Sequence, residues 1–242
     1  MSRFAGQLAL VTGGARGIGE SVSRLLAAEG AEVVVADVLD EPGAALAAEI
    51  GAAYVHLDVS DPAQWAAATT GRPFTMAVLN AGIGARYDDL ATVEDGVFEQ
   101  VMAVNATGVY LGTRELLRCM RGRGGAITVT ASIAGLVAHA QSPIYAASKW
   151  AAIGWVRSVA PSLLAEGIRI NAVCPGLVDT PILGPGGGQR MRDMGFAVLD
   201  PAEVAEAHAA LLLGDDSGAV CTVQHGLGLR RHELVAVEGY QG

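Results

Sequence analysis

The sequence predicts one α/β domain over residues 1–242, built as a doubly wound, mostly parallel, seven-stranded sheet with helices on both faces. Three observations indicate this fold class. Short apolar segments rich in β-branched residues alternate with longer helix-favouring segments along the chain, without an internal linker. The chain has 242 residues, enough to bury a large core in one unit. It also contains 32 glycines, which suit tight turns between strands and helices.

The net charge and composition argue against several classes of partner. The formal net charge is −9 and no basic run is present, so the chain lacks the positive charge that nucleic acids and anionic membranes attract. The longest uncharged stretch, 124–148, contains Pro143, His139 and several glycines, which a membrane-spanning helix would not carry. The first residues lead directly into a strand and leave no room for a signal peptide. We therefore expect a protein that acts on a small molecule.

The cysteines and histidines predict neither disulfides nor a metal site. Cys119, Cys174 and Cys221 lie far apart in apolar segments, which is typical of buried thiols in a reducing compartment. The five histidines are equally scattered. The sequence therefore predicts a cytoplasmic protein without a bound metal.

The first strand and the first helix enclose a glycine-rich turn. Leu8–Thr12 predicts a buried strand, and a helical pattern runs over 20–29. Between them lies Gly13-Gly-Ala-Arg-Gly17-Ile-Gly19, whose glycines allow a sharp turn, a close approach to a pyrophosphate and tight helix packing. This order predicts a Rossmann-like unit that binds a dinucleotide.

The second predicted strand, Glu32–Asp37, ends in a carboxylate that bears on the choice of dinucleotide. Asp37 follows the glycines by about 20 residues, where a carboxylate accepts bonds from the adenosine ribose hydroxyls and repels a 2′-phosphate. Arg16 in the turn favours the opposite choice, because its guanidinium would reach such a phosphate. We give Asp37 more weight since it occupies the ribose end itself, so NAD is the predicted cofactor and NADP the less favoured one.

Two further strands end in polar residues. After a helix over 42–50, the strand Ala53–Asp58 ends in Asp58, which would bond the adenine amino group or cap the helix that starts near Asp61-Pro62. Both roles stay open. The strand Phe74–Leu79 is followed by Asn80-Ala-Gly82, small residues that leave space beside a nucleotide. We interpret Asn80 mainly as a tie between strand ends.

A long helix is predicted from Val93 to Arg121, and its apolar character is interrupted at Asn105-Ala-Thr-Gly108. An asparagine inside an apolar helix costs free energy unless its amide is hydrogen-bonded. Asn105 is therefore predicted to anchor a helix bulge, to hold a water molecule, or to do both.

The middle of the chain carries the residue types of a proton-exchange site. Ala126–Ala131 predicts a buried strand with Ser132 at its mouth, and an Ala-rich helix follows. On that helix Tyr145 and Lys149 are four residues apart and leave the same face. A phenol has a pKa near ~10, and we expect the Lys149 ammonium to lower the pKa of Tyr145 toward neutral pH. Ser132 would hold the substrate oxygen beside the phenol; the alternative is an ordinary amphipathic Tyr–Lys pair.

The next segments supply a crevice wall and a substrate loop. Ile168–Cys174 predicts a strand that ends in Pro175-Gly176, where open α/β sheets bind ligands. Thr180 would bond a carboxamide or start a turn with Pro181. The Gly-rich segment 183–200 carries several apolar side chains and is interpreted as a mobile lid over an apolar substrate, with a plain surface connection as the alternative. A helix over 201–213, a strand over 219–223 and a tail of uncertain path over 226–242 complete the chain.

Together these residues resemble the short-chain dehydrogenase/reductase family over nearly the whole chain. The family's glycine motif matches Thr12-Gly13-x-x-x-Gly17-x-Gly19, its next motif matches Asn80-Ala-Gly, and its catalytic residues fall on Asn105, Ser132, Tyr145 and Lys149. Within the family, 36–41 and 145–150 look like bacterial NAD-dependent hydroxysteroid dehydrogenases, and 199–226 is similar to 15-hydroxyprostaglandin dehydrogenase. Two features depart from the pattern: Val223-Gln-His-Gly226 replaces the usual Val-Asp-Gly-Gly, and the helix between Asp58 and Asn80 is short.

The resemblance implies a reversible hydride transfer between NAD and a hydrophobic secondary alcohol or ketone, in a homotetramer or a homodimer. Lys149 would also grip the nicotinamide ribose. The predicted dinucleotide contacts are Gly13, Arg16, Gly17, Ile18, Gly19, Asp37, Asp58, Val59, Asn80, Ala81, Gly82, Tyr145, Lys149, Pro175, Gly176, Val178 and Thr180. The predicted substrate contacts are Ser132, Ala134, His139, Tyr145, Gly176, Met191, Met194 and Phe196. A catalytically silent dinucleotide-binding protein is the alternative, and a sugar-nucleotide epimerase is disfavoured because it resembles longer chains.

Overall fold

The computed structural model describes residues 2–85 and 90–234 of the chain. In this part of the chain a single eight-stranded sheet has the order β3-β2-β1-β4-β5-β6-β7-β8. The strands are β1 Leu8–Thr12, β2 Glu32–Asp37, β3 Ala53–His56, β4 Met76–Leu79, β5 Gly125–Thr130, β6 Ile168–Pro175, β7 Val220–Gln224 and β8 Gly228–Arg231. The first seven pair in parallel, and β8 pairs antiparallel to β7.

The prediction of seven strands was therefore wrong by one. The eighth strand, Gly228–Arg231, lies in the segment predicted as a tail of uncertain path. Its register places Leu229 opposite Val223 and Arg231 opposite Cys221, so the tail begins by folding back along the sheet edge. The rest of the predicted tail, 235–242, lies outside the described residues.

Eight α-helices occupy the described residues. They are α1 Gly17–Ala28, α2 Asp40–Ile50, α3 Pro62–Thr69, α4 Val97–Met102, α5 Gly108–Met120, α6 Pro143–Leu164, α7 Gly187–Asp193 and α8 Pro201–Leu213. The long helix expected over Val93–Arg121 instead starts at Val97 and is divided by a π-helical segment, Ala103–Thr107. The short α7 lies inside the segment predicted as a loop. No helix among the described residues is both long enough and apolar enough to cross a membrane.

Two apolar layers cover the sheet, which confirms the doubly wound arrangement. On one face α1, α2 and α8 pack on the inner strands through side chains such as Leu26, Leu46 and Leu212. On the other face α3, α5 and α6 pack through Trp65 and Leu116, among others. Because each strand at the centre is covered on both sides, its sequence is a continuous apolar run, as β1 and β4 show.

Local signals in the sequence start two of these helices. The Asp61 carboxylate accepts bonds from the free N–H groups of Ala63 and Gln64 at the start of α3. At the start of α8, Asp200 accepts from Ala202 while the Glu203 side chain accepts from the Asp200 backbone. Such caps typically stabilise a helix by about 1 kcal/mol each.

The order of the strands places the crevice. β1 lies between β2 and β4, so Thr12 is opposite Ala36 on one side and Leu79 on the other. The chain runs outward from this point in both directions, and the loops that leave the strand carboxyl ends diverge there. Open sheets of this kind bind ligands at such a switch point.

Candidate active site

The glycine-rich turn is packed so closely that a side chain at Gly13 or Gly19 would clash with its neighbours. Gly13 has φ +60° and a Cβ on it would lie 2.8 Å from the Ala81 Cα. A Cβ on Gly19 would overlap the Gly13 carbonyl oxygen, and Gly17 has φ +59°. The turn therefore lies directly against the end of β4 and leads into α1, and its three glycines carry no side chains of their own. This is the cradle that a pyrophosphate needs at a helix amino terminus.

The Asp37 carboxylate joins the end of β2 to this turn. One of its oxygens accepts a hydrogen bond from the Ala15 N–H at 3.0 Å, and the other accepts from the Leu39 N–H at 3.1 Å. Only 7% of the residue is exposed. A carboxylate has about four acceptor sites, so both oxygens retain capacity for ribose hydroxyls. Arg16, at the start of α1, is exposed.

Asp58 and Val59 shape the turn before α3. The Asp58 carboxylate accepts from the N–H and the hydroxyl of Ser60, at 2.9 and 2.7 Å. The helix cap is Asp61, so the alternative that Asp58 caps the helix was wrong. Val59 is buried and its carbonyl accepts from the indole of Trp65 at 2.9 Å. The adenine contact predicted for Asp58 stays a prediction.

Asn80 ties three strand ends together, as its structural interpretation expected. Its amide nitrogen donates to the carbonyls of Thr12 and Gly13, at 3.2 and 3.1 Å. Its amide oxygen accepts from the Thr130 hydroxyl at 3.0 Å. The Thr12 hydroxyl in turn accepts from the Asn80 and Ala81 N–H groups. The ends of β1, β4 and β5 are thus held in a fixed relation beside the glycine turn.

Asn105 anchors the π-helical segment between α4 and α5. The residue is fully buried, and its amide both accepts from the Ile83 N–H and donates to the Ile83 carbonyl, each at 2.9 Å. The Asn105 amide nitrogen donates its second hydrogen to the Ser148 hydroxyl at 2.9 Å. The bulge-anchor interpretation is therefore confirmed, since the amide fixes the loop after β4 against α6. A water-holding role for Asn105 stays a prediction.

Ser132, Tyr145 and Lys149 converge at the carboxyl end of β5. The Ser132 side chain lies close enough to the Tyr145 phenol to lower its pKa, and its oxygen accepts from the Ala134 N–H at 3.1 Å. The Lys149 Nζ lies 5.5 Å from the centre of the Tyr145 ring. It donates to the Thr130 carbonyl at 2.9 Å, and only 4% of the residue is exposed. A Cβ on Gly82 would lie 3.3 Å from this Nζ, so the small residue after β4 gives the ammonium its space.

The expected lowering of the Tyr145 pKa was wrong for this structure. Burial raises the pKa of the phenol, and the nearby Ser132 side chain offsets this only in part. Burial also lowers the pKa of Lys149, to about 8. The sequence pattern showed the ammonium beside the phenol but not how far both groups are removed from water. At neutral pH the phenol is therefore protonated and the amine still charged.

The loop after β6 forms the opposite wall. Pro175 is buried, and the Gly176 N–H donates to the Val223 carbonyl at 2.9 Å. A Cβ on Gly17 would lie 3.2 Å from the Thr180 methyl, so this loop reaches the glycine turn. Thr180 precedes a 3₁₀ turn, Pro181–Leu183, which agrees with the prediction that Thr180 starts a turn with Pro181. Val178, also predicted here, is buried.

The predicted substrate residues differ in their environment. Ala134 is buried behind Ser132, whereas His139 is exposed and has no side-chain hydrogen bond to the Tyr145 group. Met194 and Phe196 follow α7 and are 67% and 54% exposed. An ion pair of 2.8 Å between Arg192 and Asp179 ties α7 to the loop after β6. Met191 is half-buried on α7. Movement of the segment 183–200 over a substrate stays a prediction.

Several residues of the site were missed. Thr12 and Thr130 are the last residues of apolar strands, and a polar residue in that position was an available signal. Ser148 shares the helix of Tyr145, but nothing in the sequence indicated its bond to Asn105. Cys174 is also part of the site: burial raises the pKa of its thiol to about 12, and the Ser132 backbone and the Lys149 ammonium lower it only in part. In the described ranges no group of three His, Cys, Asp or Glu side chains is placed to hold a metal.

Comparisons with known proteins agree with this arrangement. The sequence matches the family model described as short chain dehydrogenase over residues 7–188. It is 44% identical over 192 residues to the 3-alpha-(or 20-beta)-hydroxysteroid dehydrogenase of Mycobacterium tuberculosis, which covers 74% of this chain and 72% of that relative. It is 36% identical over 226 residues to the mitochondrial borneol dehydrogenase of Lavandula x intermedia, which covers 90% of this chain and 87% of the relative.

A solved structure extends the likeness to the fold. The 3-ketoacyl-(acyl-carrier-protein) reductase from Brucella melitensis complexed with NADH superposes with a TM-score of 0.85 at 30% identity, covering 92% of this chain and 98% of that one. The family model spans the glycine turn, the Asn80 tie and the Ser132, Tyr145 and Lys149 group. The similarity of the carboxyl-terminal segment to 15-hydroxyprostaglandin dehydrogenase stays a prediction. The chain is an oxidoreductase that belongs to the short-chain dehydrogenase family.

Proposed function

We propose that the protein transfers a hydride reversibly between NAD and a hydrophobic secondary alcohol or ketone. The observation that carries this proposal is the convergence of Ser132, Tyr145 and Lys149 on one side of a glycine-lined crevice. A hydroxyl, a phenol and an amine in mutual reach are the groups needed to hold a carbinol oxygen and exchange its proton.

The residues present fit a dinucleotide. The glycines at 13, 17 and 19 place no side chain of their own between the backbone and a pyrophosphate, and Asp37 retains acceptor capacity for ribose hydroxyls. We prefer NAD to NADP because a 2′-phosphate beside the buried Asp37 carboxylate would place two negative charges together. The exposed Arg16 is the feature that would favour NADP. When bound, the nicotinamide supplies the hydride acceptor or donor.

The side chains divide the proton chemistry among them. Ser132 holds the substrate oxygen next to the Tyr145 hydroxyl, and Tyr145 gives or takes the proton at that oxygen. Lys149, charged below a pKa of about 8, lies beside the phenol ring and would grip the nicotinamide ribose. Asn105 fixes the π-helical segment and would hold a relay water. Since burial raises the pKa of Tyr145, the phenol is ready to donate to a ketone at neutral pH, whereas oxidation of an alcohol needs its deprotonated form.

The substrate class is inferred from the loop and from the relatives. Two of these relatives are named for a hydroxysteroid and for borneol, which carry a hydroxyl on a hydrophobic ring system. In this chain Met194, Phe196 and Ile182 are large apolar side chains left 67%, 54% and 42% exposed. A hydrophobic alcohol lying against them, with the segment 183–200 as its lid, would cover this surface.

Exposed and buried groups support a proposal on assembly and location. Phe98, Tyr110 and Trp150 lie on α4, α5 and α6 with 40% or more of their surface exposed, which suits a homotetramer or a homodimer formed through these helices. Cys119, Cys174 and Cys221 are unpaired, which suits the reducing cytoplasm.

The test is to mix the protein with NAD and a panel of alicyclic and aliphatic secondary alcohols and to follow NADH absorbance. Tyr145→Phe should lower turnover by about 10²- to 10⁴-fold, as expected for loss of a general acid and base, while NADH binding persists. Tyr110→Phe removes the same atom from α5 and should retain turnover. Undiminished turnover in Tyr145→Phe would disprove the assignment, and NADH binding without turnover on any alcohol or ketone would favour the silent dinucleotide-binding alternative.

A further inference from the structure

A buried histidine on α8 contacts the strand that leads to the catalytic group. His208 is fully buried, and its ring lies between the hydroxyls of Thr128 and Thr130 on β5. Its Nδ1 is 2.8 Å from the Thr128 Oγ1 and its Nε2 is 3.0 Å from the Thr130 Oγ1. The mechanism proposed above uses none of these three side chains. A buried imidazole with both nitrogens bonded, in a helix face otherwise made of Ala, Val and Leu, calls for an explanation.

The donor and acceptor in each of these hydrogen bonds can be assigned by starting from Asn80, which Thr130 contacts. The Asn80 amide nitrogen donates to two backbone carbonyls, so its oxygen is the atom that faces Thr130. The Thr130 hydroxyl must then donate its one hydrogen to Asn80 and accept from His208. The imidazole therefore carries its hydrogen on Nε2, and its Nδ1 accepts from Thr128. One chain of donors runs from Thr128 through His208 and Thr130 to Asn80.

Thr130 is the point where this chain reaches the site. Its hydroxyl supports Asn80, whose amide holds the Thr12 and Gly13 carbonyls at the start of the glycine turn. Its carbonyl accepts from the Lys149 ammonium at 2.9 Å. The imidazole fixes the rotation of the Thr130 hydroxyl, because an apolar side chain in its place would leave that oxygen without a donor.

We propose that His208 is a positioning residue that acts through Thr130 to hold Asn80, and with it the glycine turn, in the geometry that binds the dinucleotide. It would touch neither substrate nor cofactor, since it lies on α8 and is fully buried against β5. The inference rests on the proposed function for its ligand, but the ordering of the turn is a property of the protein alone.

Two matched pairs of variants test it. Thr130→Val and Thr128→Val each remove one hydroxyl from the same strand and leave one imidazole nitrogen without its partner, but only Thr130→Val breaks the link to Asn80. We expect Thr130→Val to weaken NADH binding about fivefold relative to Thr128→Val, the effect of one lost hydrogen bond. His208→Gln places an amide N–H near the Nε2 position and should bind NADH within about twofold of wild type. His208→Asn, whose amide reaches only the Nδ1 position, should resemble Thr130→Val.

NADH dissociation constants are measured by fluorescence titration, at a temperature where melting curves show all four variants folded. Hydrogen–deuterium exchange of the unliganded proteins gives a second readout, in which the amides of 12–15 and 80–82 should exchange faster in Thr130→Val and His208→Asn only. Equal behaviour within either pair, in both measurements, would overturn the positioning role. If wild type binds no NADH the proposed function fails, and the exchange data alone decide whether His208 orders the turn.

Discussion

Replacing His208 with glutamine should make the stability of the protein less sensitive to acid. Burial lowers the pKa of His208 to about 3, from an ordinary value of 6.5. Below pH 6.5 the unfolded chain gains a proton on this histidine, whereas the folded protein gains it only near pH 3. The unfolded state therefore binds more protons across this window, and stability falls with the pH. For these two pKa values the free energy of unfolding should fall by about 2 kcal/mol between pH 8 and pH 5.

The measurement is urea unfolding, followed by circular dichroism, of wild type and His208→Gln at several pH values between 8 and 5. Carboxylates such as Glu29, whose pKa is lowered by its bond to Arg3, stay ionised in both proteins over this range and cancel in the difference. The advantage of wild type over the variant should shrink by about 2 kcal/mol across the range. His139→Gln, a histidine substitution at an exposed position, is the control. A difference between wild type and His208→Gln that stays constant with pH would refute the reasoning.

Four other predictions follow. Burial lowers the pKa of Lys149 from 10.5 to about 8, so the folded protein loses this proton at lower pH than the unfolded chain does. The free energy of unfolding of wild type relative to Lys149→Met should therefore rise by about 2 kcal/mol between pH 7 and pH 9.5. A difference that does not change with pH would contradict this. Gly19→Ala should lower the unfolding free energy by about 1–3 kcal/mol through overlap with the Gly13 carbonyl, whereas Gly154→Ala, with open space around it on α6, should not destabilise in the same melts. Asp37→Ala should raise the affinity for NADPH relative to NADH about tenfold in fluorescence titrations, and an unchanged ratio would remove Asp37 from cofactor choice. Initial rates of alcohol oxidation should rise with pH well beyond neutrality, because burial raises the pKa of Tyr145, and an oxidation rate that levels off near neutral pH would contradict that direction.

Much of the site was predictable because it depends on spacing within single elements. Tyr145 and Lys149 share a face of α6 whatever the rest of the chain does, and Ser132 follows directly from the end of β5. The glycines at 13 and 19 were identified from their place between a strand and a helix. The interruption at Asn105 was visible because an amide in an apolar helix needs partners, and the structure supplies them from Ile83 and Ser148.

The remaining features depend on contacts between distant segments. The direction of the Tyr145 pKa shift is set by burial, which no local pattern reveals. His208 resembles a chance substitution on an apolar helix until β5 places two hydroxyls beside its ring. The strand β8 has no apolar alternation, because its order comes from pairing with β7 and not from its own side chains.

The strand β8 also determines which backbone groups and side chains are exposed at this edge of the sheet. The turn after β7 reverses through Gly226 and Gly228, which have φ +74° and +66°, and folds β8 over the backbone groups that β7 would otherwise expose. Among the described residues β8 is the outermost strand; it is four residues long and carries Arg230 and Arg231. A neighbouring molecule adding its own β8 there would bring like charges face to face. Within the described residues, the hairpin thus ends the sheet on a short strand whose arginines disfavour strand addition by a neighbouring molecule.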